Sequence, residues 1–181
     1  MKKAAMIMLV LAVFFQSQAQ FTSASLQASG LTCSMCNNAI YKALKALPFV
    51  TSVESNIKNA TFDIAFSDNA AVEIDALKNA VEDAGFFVAS FTLTGSFDNV
   101  AIANDRHVVI GSRQFHFLNV SDRVLDGQQT ITVVDKGFLP AKNFRKFSAA
   151  TKMTCIQSGK AGACCAKEGL SESTRIYHVT I

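Results

Sequence analysis

The sequence predicts an α+β protein in two parts, and three observations lead to this prediction. Over residues 23–94, apolar residues alternate in short strand-like runs, and two runs with helical spacing interrupt them in the order βαββαβ. A proline and a glycine stand where these two helical runs end. From residue 95 onward, short alternating runs separated by turn residues predict a second, small β-rich domain over residues 95–181.

The first strand and the first helix lie on either side of a pair of cysteines. Leu26 and Ala28 alternate before the pair, as in a half-buried strand. Residues 36–47 then place their apolar side chains on one face of a helix. Pro48 ends this helix, because proline lacks the N–H group that a further helical turn would use.

Three more strands and a second helix complete the first part. Residues 50–57 and 61–66 predict two strands joined by a short turn. Residues 74–84 have apolar side chains at helical spacing, Gly85 suits the end of that helix, and residues 87–93 alternate as a last strand. Under the right-handed crossover rule, this order folds as a ferredoxin-like sandwich of two helices on a four-stranded antiparallel sheet.

Cys33 and Cys36 stand three residues apart where the first strand passes into the first helix. Unpaired N–H groups and the positive end of a helix dipole stabilise thiolates at such a position. No histidine or carboxylate stands beside the pair in the sequence, so it suits a soft metal ion of low coordination number better than a hard ion that needs several oxygen ligands. The spacing therefore predicts a soft-metal clamp.

The segment from Gly30 to Cys36 resembles the Gly-Met-x-Cys-x-x-Cys loop of the heavy-metal-associated domain family. This module occurs in copper chaperones, metal-pumping ATPases and the periplasmic mercury-binding protein. A helix with one apolar face follows the loop at once, and residues 84–86 match the Ala-Gly-aromatic step that follows the second helix of the family. The resemblance covers the domain predicted over residues 20–94 and implies the same ferredoxin-like fold.

The resemblance also implies roles for individual residues. Cys33 and Cys36 correspond to the metal ligands of the family, and Phe86 corresponds to an aromatic residue that packs near the loop. Leu31 replaces the usual Met of the family. That Met packs beneath the loop and is not a ligand, and Leu has a similar volume. Thr32 stands where zinc-selective relatives often have Asp, which favours Cu(I) or Hg(II), and Zn(II) and Cd(II) stay possible.

Two other interpretations of the cysteine pair stay open. A thioredoxin-like redox pair usually has an aromatic residue, most often Trp, before the first cysteine, and this sequence has no Trp. A structural disulfide is possible in an oxidising compartment, although one across three residues constrains very little chain. A thiol–disulfide exchange protein is therefore the alternative function, and an adaptor that docks a membrane metal pump is a third.

The N-terminus predicts export. Lys2 and Lys3 precede an apolar run over residues 4–15, and Ala19 suits a signal peptidase, so residues 1–19 are predicted to be a signal peptide. We expect a periplasmic or secreted protein that is cleaved near Ala19. No later stretch approaches the roughly 20 apolar residues that a transmembrane helix needs.

Without the predicted signal peptide, the positive and negative charges of the chain nearly balance. Without Lys2 and Lys3, the seventeen basic residues fall to fifteen, against fourteen acidic ones, so nothing indicates a nucleic-acid partner. No nucleophile, base and orienting group occur together in a pattern that indicates catalysis. The sequence predicts a non-enzymatic protein that sequesters Cu(I) or hands it to metal-transport or metal-resistance proteins with thiolate sites.

The second part has no motif of a known family. The pattern predicts five short strands and one helix before the last strand. Five such strands could close into a small barrel of the oligonucleotide/oligosaccharide-binding architecture. The predicted strands are residues 96–103, 108–110, 114–120, 130–134 and 175–181, and the predicted helix is residues 141–152.

Three further cysteines lie in this second part. Cys155, Cys164 and Cys165 stand close together in a glycine-rich stretch, and His178 follows in the last predicted strand. One disulfide from Cys155 to Cys164 or Cys165, with one spare thiol, is the interpretation that the oxidising compartment favours. A second soft-metal site is the alternative, and no spacing selects His116 as a ligand for it.

Overall fold

The computed structural model describes residues 20–31, 33–166 and 169–181, and the predicted signal peptide lies outside these residues. The described strands form one eight-stranded sheet in the order β2-β3-β1-β4-β7-β8-β6-β5. In chain order the elements are β1 (Gln20–Ser29), α1 (Ser34–Lys45), β2 (Val50–Asn56), β3 (Thr61–Phe66), α2 (Ile74–Asp83), β4 (Phe87–Ile102), β5 (Arg106–Ile110), β6 (Arg113–Phe117), β7 (Arg123–Val133), α3 (Ala141–Ser148), α4 (Cys155–Ser158) and β8 (Ile176–Thr180).

The first half of the sheet confirms the ferredoxin-like prediction. Strands β2, β3, β1 and β4 are neighbours in that order, and every pairing among them is antiparallel. Both helices pack on this part through the apolar faces that the sequence indicated. Their buried apolar residues join those of the strands in a single core, and these helix residues are Ile40, Leu44, Ile74, Leu77, Ala80 and Val81.

Strand β4 runs through the predicted domain boundary between residues 94 and 95. Two separate strands were expected there, but β4 is a single strand of 16 residues that pairs with β1 along its first part and with β7 along most of its length. A Cβ atom at Gly95 would lie 2.7 Å from the backbone oxygen of Gln20. Gly95 therefore allows the backbone of β1 to approach closely and does not mark a turn. Because β4 continues through it, the two halves of the chain share one sheet.

The second half extends this sheet, and the predicted closed barrel is wrong. The sheet is open, with β2 at one edge and β5 at the other. Strand β8, at the end of the chain, inserts between β7 and β6 and runs parallel to β6. This insertion places the last strand inside the sheet, so the strands do not return to close a barrel.

The connection from β7 to β8 contains α3 and α4 and brings the second group of cysteines against the sheet. Helix α3 ends at Ser148, four residues before the predicted end. Two small clusters of buried side chains hold this connection in place, one around Phe144 and Ile156 and one around Cys155 and Cys165. Among the described residues, no helix has the length and apolar character needed to cross a membrane.

Candidate functional site

The loop between β1 and α1 carries the first cysteine pair. Gly30 has a φ of +86°, a left-handed conformation that glycine adopts without strain and that turns the chain out of β1. Leu31 is half-buried and packs against the main core. Phe86 lies beside the loop, since its Cδ1 atom is 3.9 Å from the position of a Cβ on Gly30. The loop therefore turns at Gly30 and lies beside Phe86.

Cys33 and Cys36 lie together at the start of α1. Cys33 is the N-cap residue, and its sulfur accepts a hydrogen bond from the backbone N–H of Cys36 at 3.4 Å. The two Sγ atoms are 2.7 Å apart, and neither cysteine is in a disulfide. Cys33 is exposed and Cys36 is half-buried. One ion of low coordination number can therefore reach both sulfurs from the solvent.

The surroundings of the pair favour thiolates over other ligands. The first turn of α1 contains no acidic residue. The basic residues Lys42 and Lys45 lie in the last turn of α1, at the end of the helix far from the cysteine pair. The positive end of the helix dipole faces the sulfurs. Met35, which stands between the two cysteines in the sequence, is 83% exposed and is not packed against the loop.

The structure brings the cysteines of the second half together with histidines. Cys155 is buried at the start of α4, and its sulfur contacts a ring nitrogen of each of the three histidines in the sequence. The distances from Cys155 Sγ are 3.4 Å to His178 Nε2, 3.8 Å to His107 Nε2 and 3.8 Å to His116 Nδ1. Cys165 is also buried, and its sulfur lies 3.9 Å from His107 Nε2.

The three histidines form one row across three neighbouring strands. His107 of β5 pairs in register with His116 of β6, and His116 pairs with His178 of β8. Neighbouring rings contact each other in tilted arrangements, with centroid separations of 4.5 Å between His107 and His116 and 5.0 Å between His116 and His178. The row lies on the face of the sheet that α4 covers.

Two carboxylates hold two of these histidines. His178 Nδ1 donates to Oδ1 of Asp135 at 2.6 Å, and both residues are buried. His116 Nε2 donates to Oδ1 of Asp105 at 2.9 Å, and the side chain of Asp105 is 38% exposed. Each carboxylate fixes the tautomer of its imidazole, so the other ring nitrogen turns its lone pair towards Cys155.

Burial sets the protonation of the cluster. Burial and the neighbouring histidines lower the pKa of His116 to about 4, so its imidazole is neutral at neutral pH. Burial and the neighbouring thiols raise the pKa of the Cys155 thiol. Cys164 differs: burial raises its pKa, but hydrogen bonds from the side chains of Thr154 and Cys165 and from the backbone of Cys155 and Thr154 together outweigh burial and bring the pKa down to about 7.

Sequence reasoning missed several members of this cluster. It named Cys155, Cys164, Cys165 and His178, but the structure also brings in His107 and His116. A signal for these two was present. They lie at equal distances from the turn at residues 111–112, and antiparallel pairing around a hairpin turn places such residues opposite each other.

Comparison with known proteins gives matches to the first half of the chain. The sequence profile of the heavy-metal-associated domain matches residues 25–87. A copper chaperone, CopZ, from Staphylococcus aureus strain bovine RF122 / ET3-1 is 33% identical over 63 residues, which are 35% of this chain and 91% of that protein.

Solved structures match the same region. Oxidized MerP from Ralstonia metallidurans CH34 is 26% identical, with a TM-score of 0.36, over 39% of this chain and 96% of that one. The yeast copper transporter domain Ccc2a is 30% identical, with a TM-score of 0.33, over 37% of this chain and 90% of that one.

Proposed function

Because the chain belongs to the heavy-metal-associated domain family through residues 25–87, we propose that it carries Cu(I) as cargo on Cys33 and Cys36. The observation that carries this proposal is the pair of adjacent thiols, not joined in a disulfide, at the exposed start of α1. Two sulfur ligands in a loop whose sequence contains no histidine, aspartate or glutamate suit a soft, low-coordinate ion. Hg(II), Zn(II) and Cd(II) also accept two thiolates and are the competing cargoes.

Transfer would proceed by exchange of thiolates on the ion. A thiolate of the partner binds Cu(I) and gives a three-coordinate intermediate, and then the bond from Cu(I) to one of the two cysteines breaks. A second exchange of the same kind, with the partner's other thiolate, breaks the bond to the remaining cysteine and completes the transfer. The oxidation state of copper does not change. The released cysteine takes up a proton, and the partner's thiol has lost one. Cys33 is the more exposed ligand, so it is the one that the partner displaces first.

The partner would be a metal-transport or metal-resistance protein that presents its own thiolates. CopZ, the similar protein from S. aureus, is described as a copper chaperone, which supports carriage rather than catalysis. We place this transfer outside the cytoplasm, in the periplasm or after secretion, on the basis of the signal sequence predicted over residues 1–19.

Competition for Cu(I) tests the proposal. Reduced protein, kept under anaerobic conditions, is titrated against a chromophoric Cu(I) chelator. We expect Cys33→Ser and Cys36→Ser each to lose most of the affinity, because one thiolate cannot chelate. Met35→Ala is the matched control from the same loop, and its affinity should equal that of the wild type because Met35 faces solvent. Affinity at the wild-type level in both serine variants contradicts the proposal.

A further inference from the structure

The histidine row and the buried cysteines of the second half stand apart from the Cys33–Cys36 loop and have no part in the transfer described above. We propose that they form a second metal site, in which His107 Nε2, His116 Nδ1, Cys155 Sγ and Cys165 Sγ bind one Zn(II)-type ion. The site combines imidazole and thiolate ligands, whereas the first pair offers thiolates alone. This proposal does not depend on the proposed Cu(I) carriage.

The spacing of the donor atoms fits one tetrahedral ion. Zinc binds histidine nitrogen at about 2.0–2.1 Å and cysteine sulfur at about 2.3 Å, so a nitrogen and a sulfur on the same tetrahedral ion lie about 3.5 Å apart. The sulfur of Cys155 is 3.8 Å from the nitrogens of His107 and His116. The donor atoms of these three residues all lie within 4.8 Å of one another.

Cys165 supplies the fourth ligand. Its sulfur is 3.9 Å from His107 Nε2 and lies within 4.8 Å of Cys155 Sγ, but the four donor atoms do not all lie within 4.8 Å of one another, so the Cys165 side chain has to move towards the ion when it binds. Cys165 is fully buried beside Cys155, whereas Cys164 is half-buried and bonds to Thr154 at 3.3 Å. The sequence had indicated Cys155, Cys164, Cys165 and His178 as the ligands of a second metal site. The ligands proposed from the structure differ, because His107 and His116 replace Cys164 and His178.

The hydrogen bonds around the cluster are those of a metal site. A histidine that binds a metal almost always donates its other N–H to a carboxylate, a carbonyl or water, which fixes the ring. His116 does so to Asp105 and leaves Nδ1 for the ion. In the metal-free chain, the Cys155 thiol donates to Nε2 of His178 at 3.4 Å, and Asp135 holds that imidazole in place.

The ligand chemistry selects the class of ion. Two imidazoles and two thiolates in a tetrahedral arrangement suit Zn(II), which accepts both kinds of donor and has no geometric preference of its own. Cys155 is the first residue of α4, Cys165 lies in the connection that follows it, and both side chains are buried, so solvent has little access to the ion. A closed set of four protein ligands indicates a structural site. Binding would replace the thiol protons of both cysteines, which leave to solvent.

Cobalt substitution tests the site. The full mature chain with Cys33→Ser and Cys36→Ser, reduced and metal-free, is titrated with Co(II) as the spectroscopic probe for Zn(II). We expect one Co(II) per chain with the intense visible bands of tetrahedral Co(II) and a thiolate charge-transfer band, all lost when Zn(II) is added. In the same background, Cys155→Ser should abolish the bands and Cys165→Ser should lower the charge-transfer intensity by about half. Cys164→Ser is the matched control and should leave the spectrum unchanged.

Folding is checked separately from binding. His107 is only partly buried, so His107→Asn should keep the circular dichroism spectrum of the parent chain and still lose tetrahedral Co(II) binding. A folded, reduced parent chain that binds no Co(II), or binds it without a thiolate band, overturns the proposal. So does an unreduced mature chain in which Cys155 is found in a disulfide. Loss of the bands in Cys164→Ser, with retention in Cys165→Ser, overturns the ligand set.

Discussion

Arg175, immediately before β8, connects the two halves of the sheet through ion pairs. Its Nε and Nη2 atoms donate to the carboxylate of Asp75 in α2 at 2.9 and 3.0 Å, and its Nη1 atom lies 2.9 Å from Oδ2 of Asp135. Its guanidinium also packs over the ring of Tyr177 at 4.1 Å. Arg175→Ala would leave the buried carboxylate of Asp135 without a cation.

The expected cost follows from burial. Removal of one partner from a buried ion pair costs about 3–5 kcal/mol. The side chains of Arg175 and Asp75 are 30% and 39% exposed, so solvent screens their half of the network. His178 remains bonded to Asp135. We therefore expect Arg175→Ala to lower the free energy of unfolding by about 2–4 kcal/mol.

Urea denaturation followed by far-ultraviolet circular dichroism measures this loss on the metal-free chain. Arg113→Ala is the matched control, because Arg113 also joins α2 to the second half of the sheet, but through Glu73, whose side chain is 62% exposed. Its loss should be about 0–1 kcal/mol. If Arg175→Ala loses no more than Arg113→Ala, the argument from burial is wrong.

The pH dependence gives a second readout of the same network. Burial opposes the ionisation of Asp75, but the hydrogen bonds and charge of Arg175 outweigh it and hold the pKa of this carboxyl below its usual value. A carboxyl with a lowered pKa in the folded state contributes stability at higher pH, and the contribution is lost as pH falls through that pKa. The wild type should therefore lose this contribution below about pH 4, and Arg175→Ala should lack it.

Three further predictions concern the second site and the N-terminus. Asp105→Asn should weaken Co(II) binding at the second site by about 10–100-fold in the cobalt titration, because Asp105 orients the imidazole that binds the ion, and full affinity in this variant would exclude that role. In the reduced, metal-free chain at pH 7, iodoacetamide should modify Cys164 faster than Cys155 or Cys165, as mapped by mass spectrometry, because Cys164 is accessible and its pKa is about 7. Mass spectrometry of the protein from its own host should find a mature chain that begins at Gln20, whereas an intact N-terminus would contradict export.

The first half of the fold was predictable because its signals are local. Each helix and strand there has its own apolar period, and the loop from Gly30 to Cys36 stands in the order that the fold requires. The continuation of β4 through Gly95 was not predictable. A glycine after an alternating run usually indicates a turn, and only the approach of Gln20 explains its place within a strand.

The second half depends on contacts between distant parts of the chain. The insertion of β8 between β7 and β6 leaves no local pattern in the sequence, and the barrel prediction failed for this reason. The same insertion places His178 beside His116 in the sheet and within hydrogen-bond distance of Asp135. Only the pairing of His107 with His116 across their hairpin could have been predicted, since both lie at equal distances from its turn.

Metal analysis of the protein purified anaerobically from its own host tests the central claim most directly, in the wild type and in a variant with both Cys33→Ser and Cys36→Ser. The account predicts copper bound to the wild type and absent from the variant, because only these two thiols form the exposed clamp. Zinc, if present, should be equal in both proteins, since its proposed ligands are unchanged. A wild-type protein without copper, in which Cys33 and Cys36 form a disulfide, would contradict Cu(I) carriage and favour thiol–disulfide exchange.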